Sequence, residues 1–168
     1  VVRSPGVKIT NPKLQRLIEN GAKLTSPTKI FFEQCSAKII GVTGTKGKGT
    51  TSTLIYEFLK TTFPDVFLAG NIGLPALDVL PSLKKESIVV LEMSSFQLID
   101  LGISPHIAVV LMITSEHLDW HKDNYEYVSA KENIVKHQTK GDFAVINYNS
   151  QTSRNFAKNT KAKTFFFS

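Results

Sequence analysis

The segment Gly41-Val42-Thr43-Gly44-Thr45-Lys46-Gly47-Lys48-Gly49-Thr50-Thr51 constrains this chain most, because it joins an apolar β-branched run to a helical pattern. Glycines let the backbone curl so that its N–H groups converge on an anion. The helix start adds partial positive charge, and Lys48 can reach the terminal phosphates of a nucleotide. Three closely spaced glycines with Lys and Thr have no packing rationale, so a phosphate-binding loop is expected rather than a merely tight turn. The pattern G-x-x-x-x-G-K-[ST] is not met strictly. Val42 stands where its first glycine would fall, and Gly49 replaces the hydroxyl residue after Lys48. Thr50 is therefore expected to supply the magnesium-binding hydroxyl, with Thr51 the alternative.

Around this loop, short β-branched runs alternate with helical patterns, which predicts an α/β fold with a mostly parallel sheet flanked by helices. Strands are expected over residues 38–42, 66–69, 87–91, 107–113, 143–146 and 164–167. The runs 87–91 and 107–113 are apolar without alternation, as in strands buried on both faces. Helices are expected near 76–80, 125–137 and 150–158, and after the loop, where Leu54, Ile55, Phe58 and Leu59 should share the buried face. Residues 1–35 read differently. Val1-Val2 and residues 23–25 suggest short strands, Ser4-Pro5-Gly6 a turn, and Asn11-Pro12 and Ser26-Pro27 helix starts.

Composition removes several classes of function. No apolar stretch approaches the roughly 20 residues a membrane helix needs, so no membrane partner is expected. The single cysteine, Cys35, allows no intramolecular disulfide and no cysteine-rich metal site, which suits a cytoplasmic setting. Residues 131–168 carry seven basic against two acidic side chains, enough to attract a polyanion. No aromatic-interleaved basic motif accompanies them, so a solvated face is expected rather than a nucleic-acid site.

A few residues carry possible chemistry. Glu92 follows a buried run, where a carboxylate would point to the loop end of a parallel sheet and could ligate magnesium or sit in a salt bridge. Lys131 falls in a helical stripe with Tyr127, Val128, Ile134 and Val135. Its ammonium must either snorkel to water or be held with a lowered pKa, in which case CO2 can add to it. Asn71 could hydrogen-bond a phosphate or carboxylate oxygen or simply shape its turn. His117 alone would read as a solvent-facing loop histidine. His106 and His137 read as structural or exposed, His121 stays undecided, and Trp120 has no assigned role.

Residues 44–51, Gly-Thr-Lys-Gly-Lys-Gly-Thr-Thr, resemble the ATP loop of the Mur ligase and folylpolyglutamate synthase superfamily. Residues 70–77, 91–98 and 116–119 resemble signatures of the D-glutamate-adding Mur ligases, with Ser-Ser-Phe-Gln-Leu at 94–98 the most discriminating. Ser4-Pro5-Gly6 is similar to the turn that closes their uridine-nucleotide-binding N-terminal domain. The resemblance implies that residues 1–35 are the tail of that domain plus a linker, and that 36–168 are the front of the ATP-binding central domain. It implies an ATP-driven amide ligase of peptidoglycan precursor synthesis, with UDP-N-acetylmuramoyl-L-alanine, D-glutamate and ATP as substrates and two magnesium ions. ATP would be held by Gly44, Thr45, Lys46, Gly47, Lys48, Gly49, Thr50 and Thr51. The metals would be held by Thr50, Glu92, His117 and a carbamylated Lys131. Asn71, Ser94 and Gln97 would contact substrate, and Lys48, Asn71, Lys131 and His117 would serve catalysis. The amino-acid-binding domain has no counterpart here, so the chain alone is expected to be inactive. A folylpolyglutamate synthase-like ligase, or a non-catalytic nucleotide- or nucleic-acid-binding module, are the alternatives.

Overall fold

Six strands, β1 (Lys38–Thr43), β2 (Val66–Gly70), β3 (Ile88–Glu92), β4 (Ile107–Val110), β5 (Phe143–Asn147) and β6 (Lys163–Phe167), run parallel in one sheet. Their order is β2-β3-β1-β4-β5-β6. The computed structural model describes residues 1–116 and 119–168. Parallel pairing requires every connection to cross over the sheet, and helices supply the crossovers. The chain passes from one side of β1 to the other between β3 and β4. In open parallel sheets, ligands bind at such a switch point, outside the carboxyl ends of the strands.

One face of the sheet packs on α2 (Pro27–Gln34), α4 (Ala76–Val79), α5 (Ser95–Leu98) and α6 (Asn124–Lys136). Its core holds Phe31, Val89, Leu91, Leu98, Val110, Tyr127, Ile134 and Ile146, all at most 1% exposed. The other face carries α3 (Lys48–Lys60), over Ile40, Val42, Val66 and Val90. α3 does not lie as its apolar periodicity predicts. Ser52 is fully buried and Ile55, Tyr56 and Leu59 pack on the sheet, whereas Leu54 and Phe58 are 53% and 73% exposed. Periodicity locates an apolar stripe, but the loop that launches the helix fixes its rotation.

Strand 107–113 is also shorter than expected, because β1 leaves the sheet for the glycine-rich loop and removes its pairing partner. Leu111 N–H still donates to the Thr43 carbonyl at 2.9 Å, and Thr45 N–H donates to Met112 O at 2.9 Å. The region 150–158 divides into α7 (Gln151–Asn155) and a 3-10 turn, Phe156–Lys158. The expected strands near residues 1–2 and 23–25 reduce to a single bridge between Val2 and Thr25.

The N-terminal segment, which includes α1 (Pro12–Glu19), is fastened to α5 by Arg3. The Arg3 guanidinium is fully buried and donates from Nε and Nη2 to the two Asp100 oxygens at 2.9 and 2.8 Å. Nη2 also donates to Phe96 O at 2.9 Å and Nη1 to Val7 O at 2.9 Å. A buried guanidinium is tolerated only when its donors are met in this way. Asp100→Asn should therefore lower unfolding stability by about 2 kcal/mol, the scale of a charge-assisted hydrogen bond. Denaturant melts with an unchanged midpoint would show the pair to be dispensable.

Candidate functional site

The glycine-rich loop sits at the carboxyl end of β1 and launches α3. Gly47 is the N-cap of α3 with φ 81°, a left-handed conformation that side-chain-bearing residues rarely adopt. Among the described residues no side chain caps the helix, so the N–H groups of its first turn are left without a capping side chain, an arrangement that suits an anion. Gly44 permits the close packing that holds the loop down: a Cβ there would lie 2.6 Å from Leu111 Cβ. Thr45 is buried and anchors the loop. Its hydroxyl accepts from Thr114 N–H at 2.9 Å and shares a hydrogen bond with the Tyr127 phenol at 3.1 Å. Burial holds that phenol above its usual pKa. Lys48 folds over the loop, donating to Gly44 O at 3.2 Å and Thr45 O at 3.0 Å. Lys46 and Thr50 are exposed, and Thr51 is half-buried.

Glu92 closes β3 and is 3% exposed. Its Oε1 accepts from Asn71 Nδ2 at 3.2 Å, which places the loop after β2 against the end of β3. Among the described residues, no ion pair engages Glu92. Position 49 faces it: a Cβ on Gly49 would lie 3.4 Å from Glu92 Oε2. Thr50, one residue on, is rotated by about 100° around the helix and is exposed.

Lys131 completes the group. Its stripe-mates Tyr127, Ile134 and Val135 are buried as the spacing requires, and Lys131 itself is 2% exposed. The ammonium does not snorkel. It donates to Gly44 O at 2.9 Å and lies over the Tyr127 ring. Burial above all, then the neighbouring Lys48, lowers its pKa from 10.5 to about 7, while Glu116 and Glu92 pull the other way.

Ser94 and Gln97 form a capping box at the start of α5. Ser94 Oγ accepts from Gln97 N–H at 3.4 Å, and Gln97 Oε1 accepts from Ser94 N–H at 2.8 Å. This local bonding fixes both side chains beside the end of β3. The site therefore gathers Lys48, Asn71, Glu92 and Lys131 at the carboxyl end of the strands, with Ser94 and Gln97 next to it. His117 lies outside the described residues. No group of three or more His, Cys, Asp or Glu side chains gathers among the described residues.

Two features of this region were not anticipated. His121 is buried, with Nε2 2.9 Å from Ser95 Oγ and Nδ1 3.2 Å from Glu126 Oε2, so it links α5 to α6. Trp120 packs against Phe96, with the two rings tilted by 51°, and donates from Nε1 to Gly6 O at 3.1 Å. Neither Ser95 nor Gly6 is near these residues in sequence, and that distance hid both links.

Residues 42–168 match the Mur ligase middle domain. The chain is 43% identical over 166 residues to a UDP-N-acetylmuramoylalanine--D-glutamate ligase of Acetivibrio thermocellus, covering 99% of this chain and 36% of that protein. It is 40% identical over 168 residues to the ligase of the same name in Clostridium novyi, covering 100% of this chain and 37% of that protein. The chain thus spans little more than a third of the length of these curated relatives. Among solved structures, the MurF ligase from Thermotoga maritima in complex with ADP superposes with a TM-score of 0.64 at 28% identity, covering 83% of this chain and 34% of that chain. A UDP-N-acetylmuramate:L-alanyl-gamma-D-glutamyl-meso-diaminopimelate ligase from Neisseria meningitides shares the fold, with a TM-score of 0.69 at 17% identity over 99% of this chain and 57% of that chain. The middle-domain match takes in most of the sequence and runs unbroken from the end of β1 through α6 to β6, so this protein belongs to the Mur ligase family.

Proposed function

We propose that this chain forms the nucleotide- and metal-binding part of a cytoplasmic ligase that joins D-glutamate to UDP-N-acetylmuramoyl-L-alanine at the expense of ATP. The observation that supports it most is the start of α3, which no side chain caps among the described residues, with Lys48 above it and the buried Glu92 beside it. The names of the 43% and 40% identical relatives supply the substrates. The solved MurF relative with bound ADP supports the nucleotide. Residues 1–35 read as the tail of a uridine-nucleotide-binding domain and 36–168 as the front of the ATP-binding one.

The residues fit a magnesium ion. Magnesium commonly takes one or two carboxylates and fills its remaining positions with phosphate oxygens and water. Glu92 offers one such carboxylate, buried and beside the loop. The metal would neutralise phosphate charge as a bond to phosphorus forms. A second ion would draw on His117 and on Lys131 as a carbamate. For Lys131 the balance is simple: the neutral amine adds to CO2, a C–N bond forms, and one proton leaves. A pKa of about 7 makes the neutral amine abundant at physiological pH.

In the reaction, the muramoyl-alanine carboxylate attacks the γ-phosphorus and ADP leaves, giving an acyl phosphate. The D-glutamate amine then attacks the acyl carbon and phosphate leaves. Loop amides from Gly44 to Thr51 hold the triphosphate, and Lys48 exchanges its two carbonyl partners for phosphate oxygens. Asn71 donates to oxygen that gains negative charge. Ser94 and Gln97, ordered by their capping box, face the uridine-muramoyl substrate.

Calorimetry with ATP plus magnesium, and separately with a short oligonucleotide at two salt concentrations, tests this reading. Binding of ATP and not of the oligonucleotide is expected. Oligonucleotide affinity that collapses with salt, without ATP binding, would mark a nucleic-acid module instead. A 13C-bicarbonate NMR spectrum should show a carbamate carbon that Lys131→Ala removes. Identical spectra for the two proteins would reject the carbamate.

A further inference from the structure

Gly49 is where the loop departs from the phosphate-binding pattern, and its surroundings show what the departure opens. A Cβ there would meet Glu92 Oε2 at 3.4 Å and Ile72 Cδ1 and Cγ2 at 3.9 Å, all ordinary contact distances. Gly49 is not among the glycines with positive φ, which are Gly21, Gly44, Gly47, Gly70 and Gly73. Neither crowding nor backbone conformation therefore demands glycine at this position. Glycine is also a poor helix former, and residue 49 lies in the first turn of α3. The hydroxyl that follows it, on Thr50, is the one expected from the sequence to bind magnesium; its side chain is exposed and lies about 100° around the helix from the position that faces Glu92.

We propose that Gly49 leaves one coordination position open on the Glu92 side of the metal, that water fills it, and that this lowers the magnesium contribution to nucleotide binding. The inference rests on the reading of this site as nucleotide- and magnesium-binding. Magnesium keeps water ligands readily, so the vacancy does not forbid metal. A water must, however, be immobilised at each binding event, whereas a hydroxyl carried by the helix is already in place. The glycine thus makes the metal depend more on the nucleotide's own phosphates.

The test is ADP binding to the full chain by calorimetry, in magnesium and in EDTA, for the parent, Gly49→Ser, Gly49→Ala, Thr50→Ala and Lys48→Ala. The readout is the ratio of the two affinities for each protein. Gly49→Ser should raise that ratio by about tenfold, the scale of one charge-assisted contact. Gly49→Ala, which repairs helix propensity without adding a hydroxyl, should leave it at the parent's value. Thr50→Ala should leave it there too, whatever its absolute affinity. Equal ratios for the serine and alanine variants of Gly49 would overturn the proposal, as would a Thr50→Ala ratio that falls to unity. If Lys48→Ala loses ADP while Gly49→Ser leaves the ratio unchanged, the inference fails and the nucleotide reading stands. No ADP binding by the parent in either buffer removes both.

Discussion

Lys48→Ala is expected to weaken ATP binding about a hundredfold, at the strong end of what a single charge-assisted contact contributes. The size follows from the arrangement of cations around the loop. Lys46 is exposed and precedes the left-handed turn at Gly47. Lys131 is buried and turned onto the Gly44 carbonyl. Among the described residues, Lys48 alone stands at the start of α3 on a flexible stem, and its partners are loop carbonyls that a phosphate can displace. Those carbonyl contacts are few, so the variant should stay folded. Isothermal calorimetry of parent and variant decides the matter: equal affinities would remove the phosphate-loop assignment.

Lys131 should make stability depend on pH in an unusual direction. Its pKa is the ordinary 10.5 in the unfolded chain and about 7 in the folded one. Below pH 7 the amine is protonated in both states, and the folded state bears the full cost of a buried ammonium. Between about 7 and 10.5 the unfolded chain binds the additional proton, so this group's contribution to stability rises with pH. At about 1.4 kcal/mol per pH unit, the whole swing is roughly 3–5 kcal/mol. Lys131→Met removes the ammonium and keeps the length of the side chain. It should be more stable than the parent at pH 6 by an amount of that order, and the advantage should shrink toward zero near pH 10. Urea melts at pH 6, 8 and 10 measure it. A difference that stays constant across that range would mean the ammonium is solvated after all.

The sheet was legible in the sequence because parallel strands buried on both faces leave continuous apolar runs, as at Ile107–Val110 and Ile88–Glu92. Lys131 was legible for the opposite reason, since a cation inside an apolar stripe has to be explained. The rotation of α3 was not, because Leu54 and Phe58 satisfy a helical period as well as Ile55 and Leu59 do. Arg3 could not be read at all. Its meaning depends on Asp100, 97 residues away, and nothing local distinguishes an arginine that will be buried from one that will not. The same holds for His121, whose partner Ser95 is 26 residues distant. For Ser94 and Gln97 a substrate contact is implied only by the family resemblance. Their capping box was equally present in the spacing of Ser and Gln three apart, which satisfies a helix start without any ligand.

Trp120 is the only tryptophan in the chain, and it bridges the N-terminal turn and α5 through its bond to Gly6 O and its contact with Phe96. Its fluorescence therefore comes from one place, with no background from other indoles to subtract. The ring also meets His121 edge-on at 4.7 Å, close to the link between α5 and α6. An event that slides the N-terminal segment along α5 must break the indole hydrogen bond to Gly6 O or part the indole from the Phe96 ring, and either changes the polarity around the emitter. The molecule thus carries a built-in optical gauge at the seam between the N-terminal turn and α5, readable without a label.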